Sequence, residues 1–75
     1  MMPRYFFDVD EDERQVRDET GMELDSEDFA RKEGSTLLQT LSDLRRAEGR
    51  AGNTYVRVRD IGGIEVFTGS AHLRD

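Results

Sequence analysis

The chain has 75 residues, a net charge of −6 and no cysteine. A chain this short supports one thin-cored domain, because it buries only about 60% of the surface its unfolded form exposes. Disulfides and thiolate chemistry are excluded, no apolar run approaches the ~18 residues of a membrane span, and the acidic balance disfavours non-specific nucleic-acid binding. The N-terminus also lacks the apolar core of a signal peptide, so the cytoplasm is the expected compartment.

Residues 4–9 read as the first strand. Tyr5, Phe7 and Val9 alternate with Phe6 and Asp8, and this most hydrophobic strand is expected at the centre of the sheet. Asp10 to Arg14 reads as a charged loop, and Gln15-Val16-Arg17 as a short returning strand. Gly21 can supply the positive φ of a turn.

A helix is predicted from about Ser26, with Asp25 as N-cap and Leu24 and Phe29 at the spacing of a hydrophobic staple. Glu27 and Asp28 suit the positive end of the helix dipole, and Arg45 and Arg46 its negative end. Phe29, Ala30, Leu37, Leu38, Leu41, Leu44 and Ala47 recur at helical spacing as one apolar stripe. Glu27–Arg31 and Asp28–Lys32 are expected i,i+4 pairs, Gly49 is the expected stop, and Gly34 is read as either a close approach to the sheet or a weak point.

Residues 54–60 and 64–69 read as a hairpin. A two-residue turn at Gly62-Gly63 would set Asp60 against Glu65, which is unfavourable. A three-residue loop, Ile61-Gly62-Gly63, sets Val58 opposite Val66 and Arg59 opposite Glu65, with glycine in the αL position. That register turns Val56, Val58, Ile64 and Val66 inward, and Tyr55, Arg57, Arg59, Glu65 and Phe67 outward. Residues 71–75 are expected to fray. The order strand, strand, helix, strand, strand predicts a single α+β domain over residues 1–75: a two-layer sandwich with one long helix on a four-stranded, mainly antiparallel sheet.

Alternation puts Phe6, Tyr55 and Phe67 on the side of the sheet away from the helix, together with Arg57 and Arg59. Aromatics on an open sheet face form an apolar patch, and such patches mark contact surfaces. The five residues are the candidate interaction surface. Aromatics and arginines on an open sheet can also stack single-stranded RNA, which makes nucleic-acid binding the alternative.

Asp8, Asp10, Asp12 and Glu19 fall at positions 1, 3, 5 and 12 of a calcium-loop pattern, but Glu13 stands where the sharp turn needs glycine. A solvated hairpin loop is the expectation, with at most a weak divalent-cation contact. His72 follows Ser70 by two residues in the tail, without a rigid third partner for catalysis. Gly62-Gly63 lacks the Lys-Ser/Thr and the helix of a phosphate loop. No catalytic, metal or cofactor signature emerges, and the chain is not read as an enzyme.

The opening Pro3-Arg4-Tyr5-Phe6-Phe7-Asp8, the run Arg17-Asp18-Glu19-Thr20-Gly21-Met22-Glu23-Leu24 and the helical Ala30-Arg31-Lys32-Glu33 resemble a family of short bacterial proteins of unknown function. They occur mostly in rhizobia and related alphaproteobacteria. Val58-Arg59-Asp60 fits the same pattern, and the resemblance implies no functional residue. A fold-level likeness to the HicB-like antitoxins follows from the order strand, acidic loop, strand, Gly and helix, and implies contact with a protein partner. The expected function is therefore a small interaction module that self-associates, as a possible homodimer, or binds a protein partner through the outer sheet face or an edge strand. RNA binding or an antitoxin-like regulator is the alternative.

Overall fold

The computed structural model describes residues 2–74. Five strands and one helix follow in the order β1 (Arg4–Glu11), β2 (Arg14–Val16), β3 (Met22–Glu23), α1 (Glu27–Ala47), β4 (Gly52–Asp60) and β5 (Glu65–Leu73). The antiparallel sheet runs β2-β1-β4-β5, with β3 also pairing β1. The α+β architecture agrees with the sequence reading, and the apolar first strand is indeed central. The sheet gains a fifth strand, the two-residue β3, too short to carry a periodic signal.

Several boundaries move. β1 continues through Asp10 and Glu11, and Glu11 pairs with Arg14, so the expected loop from Asp10 to Arg14 shrinks to Asp12-Glu13. Gly21 takes φ +75°, as its turn requires. The residues expected to fray after Ser70 instead extend β5 to Leu73, where Leu73 pairs with Gly52 and His72 with Asn53. Asp75 lies outside the described residues.

The helix N-cap is Ser26 rather than Asp25. Ser26 is extended, and its Oγ accepts from the Phe29 N–H at 3.2 Å. The cap shift breaks the predicted staple: Leu24 is buried, whereas Phe29 stands half in solvent. Asp28 does not meet Lys32; Arg31 gathers both Glu27 and Asp28. Ser26→Ala is expected to lower stability by about 1 kcal/mol and Asp25→Ala by far less, measured by urea unfolding. Equal losses from the two would contradict the assigned cap.

The helix buries Ala30, Gly34, Ser42 and Arg45 against the sheet. Leu37, Leu38 and Leu41 are partly buried, while Leu44 is 53% exposed. The seven-residue stripe read from the sequence is therefore rotated: Phe29, Leu44 and Ala47 leave the contact, and Gly34 and Arg45 enter it. Gly34 allows the approach. A Cβ on it would stand 2.7 Å from Val58 Cγ2 and 2.8 Å from Phe67 Cδ2.

Phe67 is thus on the helix side of the sheet, not on the outer face. The three-residue loop and the pairing of Arg59 with Glu65 are as expected, and Gly63 takes φ +84°. A β-bulge then intervenes, so Val58 pairs with Phe67 and not with Val66. One extra residue exchanges the two faces of a strand. The space left by Gly34 is filled by a ring, which buries more apolar surface than valine would. Ile64, expected inside, is exposed at the hairpin tip.

Candidate functional site

The outer face is built from Phe6, Asp8 and Asp10 on β1 and Tyr55, Arg57 and Arg59 on β4, in the pairs Phe6–Arg59, Asp8–Arg57 and Asp10–Tyr55. Glu65, Thr68 and Ser70 extend it on β5. The predicted surface is thus brought together in four of its five residues. Its character differs, because the charges on it are largely spent inside the molecule.

Arg59 Nε donates to Asp8 Oδ2 at 2.9 Å, and Nη2 donates to the Asp18 carbonyl at 2.8 Å. The guanidinium lies 4.6 Å from the centroid of the Phe6 ring. Cation–π stacking and the ion pair together leave neither group free. Asp18 holds the chain here. Its carboxylate accepts from the backbone N–H groups of Phe7, Thr20 and Gly21, and its own N–H donates to Asp8 Oδ1. The Phe7 N–H lies between the stretches of β1 paired with β3 and with β2, so Asp18 supplies the acceptor that a strand would have given. Arg57 pairs with Glu65 at 3.1 Å. Tyr55 remains open, at 49% exposure. Asp8, Asp10, Gln15, Arg17, Tyr55, Arg57 and Thr68 line an open depression of about 540 Å³.

The two aspartates set an acid limit on stability. Burial disfavours the Asp8 carboxylate, yet the Arg59 hydrogen bond, the Asp18 N–H and the charges of Arg59 and Arg17 outweigh it and hold Asp8 below its ordinary value. Burial likewise opposes Asp18, and the N–H groups of Gly21, Phe7 and Thr20 overcome it. A carboxyl depressed in the folded state stabilises fully above its unfolded pKa of about 3.9 and loses that contribution as pH falls through the lower folded value. The melting temperature should therefore hold from pH 7 to about 5 and fall below about 4, with a smaller fall in Asp8→Asn. Identical acid slopes for the two proteins in a thermal scan series would contradict this.

The acids of the calcium-like pattern do not converge. Asp8 is taken by Arg59, and Asp12 accepts from the Asn53 N–H at 2.9 Å. Among the described residues, no three His, Cys, Asp or Glu side chains are grouped to hold a metal ion. His72 sits on β5, with Nδ1 2.7 Å from Asn53 Oδ1.

A second cluster went unread in the sequence. Arg45 is 2% exposed under the β1–β2 turn. Its Nη1 donates to Glu11 Oε2 at 3.1 Å and Glu13 Oε1 at 2.6 Å, and its Nη2 donates to the Ala51 carbonyl. The Arg45 hydrogen bond, assisted by the Arg45 and Arg50 charges, holds the Glu13 carboxyl below its ordinary value against burial. Arginine near a helix C-terminus ordinarily reads as a dipole partner in solvent, so only the acids of a turn 32 residues away mark this one as interior.

The third feature is apolar. α1 packs across β4 and β5. Its Leu38 meets Gly69 on β5, and Arg31 Nε donates to the Val66 carbonyl on β5. At about 100° per residue, Leu37 and Leu44 therefore lie on the flank turned away from β5, toward the inner side of β1. There Phe7 and Val9 are only partly buried and Val16 is half exposed.

Residues 4–72 match the model of a family described as a domain of unknown function (DUF6894). The chain belongs to DUF6894. No curated protein and no solved structure matches this DUF6894 chain, so the likeness to HicB-like antitoxins rests on element order alone. No helix among its described residues is long and apolar enough to cross a membrane.

Proposed function

We propose that the chain is a small protein-interaction module whose contact surface is the bare flank of α1 with the inner side of β1 beside it. One observation carries this: α1 covers β4 and β5, leaves Leu44 at 53% exposure on the flank it shares with Leu37, and leaves Phe7 and Val9 of β1 only partly buried. Apolar groups gathered on one side of a small domain mark a contact surface, and a domain of this size gains much by covering them. The outer face is a weaker contender. Phe67 lies inside, Phe6 is stacked under Arg59, and Tyr55 is the aromatic left open.

The test uses the immobilised full chain to recover associating protein, whether further copies of itself or another species. Leu44→Glu places a charge on the flank at an exposed position, so the fold should survive. It is expected to abolish recovery, whereas Tyr55→Ser is expected to leave it intact. Unchanged recovery by Leu44→Glu would overturn the reading.

A further inference from the structure

We infer that β5 is a second interaction surface, at the opposite edge of the molecule from the α1 flank, and that it pairs antiparallel with the β5 of a second copy. The two edges of the sheet are unlike. β2 is three residues long and opens with Arg14, the kind of short, charged strand that blunts an edge. β5 is nine residues long, and from Val66 to Leu73 it carries no Asp, Glu, Lys, Arg or Pro. Among the described residues, no strand covers its outer side.

The ladder fixes which groups are open. The Asp60 N–H donates to the Ile64 carbonyl at 2.8 Å, so alternate residues back along β4, Val58, Val56 and Thr54, turn their backbone groups toward β5. Their partners Phe67, Gly69 and Ala71 bond inward. Thr68, Ser70 and His72 therefore point their N–H and C=O groups away from the sheet, and their side chains are exposed. Arg31 Nε takes the Val66 carbonyl at the bulge, so the open stretch begins at Thr68.

A twofold axis brings a strand against its own reversed image, and β5 complements that image. With Ser70 opposite Ser70, Thr68 of each copy faces His72 of the other, and every outward N–H and C=O finds a partner. On the inner face Phe67 meets Leu73 and Gly69 meets Ala71, and no like charges are opposed. The axis stands normal to the sheet, so both helices lie on the same side. The flank of α1 over β5 carries Ser35 and Ser42, one turn on from Arg31 and Leu38, and these short side chains leave room for the neighbour.

Sedimentation equilibrium of the full chain tests this. The wild type is expected at twice the 8.6 kDa chain mass, with a dissociation constant on the order of micromolar, since a single strand ladder is a small contact. Ser70→Pro removes an outward N–H at an edge position that tolerates proline within one copy, and is expected at the chain mass with a wild-type circular dichroism spectrum. Ser70→Lys and Ser70→Glu each set like charges across the axis and should raise the dissociation constant roughly 3- to 10-fold, whereas mixing the two chains should restore it to within about 2-fold of wild type. A wild type at monomer mass overturns the second copy as occupant and leaves the edge to a strand of another protein. A Ser70→Pro chain at dimer mass, or a mixture no tighter than either charged chain, overturns the pairing. Leu44→Glu is expected to stay at dimer mass. The recovery assigned to the α1 flank is of protein beyond this paired copy, so the two assignments fail separately.

Discussion

Arg45→Met is expected to lower the melting temperature by about 15 °C or more. Methionine matches the length and apolar stem of arginine but leaves the Glu11 carboxylate, 7% exposed, with only the longer Arg14 contact at 3.6 Å. Removing one member of a buried pair costs more than the pair itself contributes, because the remaining charge has lost its water and its partner. The Ala51 carbonyl, bonded by Nη2 just after the helix, loses its donor as well. Adding Glu11→Gln to Arg45→Met removes the stranded charge and should recover part of the loss. A melting temperature within about 3 °C of wild type for Arg45→Met, read by circular dichroism, would show that Arg45 does not hold the β1–β2 turn onto α1.

Gly34→Val is expected to destabilise by about 3 kcal/mol or more, and Gly34→Ala by less. Two effects oppose each other at this position. Replacing a mid-helix glycine by alanine gains about 1 kcal/mol of helix propensity. Against it, a Cβ would approach Val58 Cγ2 to 2.7 Å and Phe67 Cδ2 to 2.8 Å. Val58 is fully buried on β4 and stiff at χ1, so it cannot swing aside. The contact therefore outweighs propensity, and valine adds further atoms in the same gap. Urea unfolding of the alanine variant decides the sign. A stabilised Gly34→Ala would mean that helix and sheet separate easily, and that the close approach is not what holds the core.

The architecture was legible because its signals are local. Alternation from Tyr5 to Val9, the acids and arginines at the two ends of α1, and the glycines of the 61–63 loop each act within a few residues. What escaped depends on partners far along the chain. Phe67 reads as outward by strict alternation, and only the bulge at Val66 reverses it. That bulge answers a gap at Gly34, 32 residues earlier in the sequence. Arg45 reads as a solvent-facing dipole partner until Glu11 and Glu13 are folded over it. Arg59 reads as a free cation on an open face until Asp8 and the loop at Asp18 close on it. The outer face was therefore read as aromatic and basic where it is stacked and neutralised. The flank of α1 was read as core because leucine periodicity does not say how many strands one helix can cover.

Recovery of associating protein by the immobilised wild type, Leu44→Glu and Tyr55→Ser chains tests the surface assignment most directly. Wild type and Tyr55→Ser are expected to recover it, and Leu44→Glu to recover none. Recovery unchanged by Leu44→Glu but lost in Tyr55→Ser would contradict the assignment and return the interface to the outer face of the sheet.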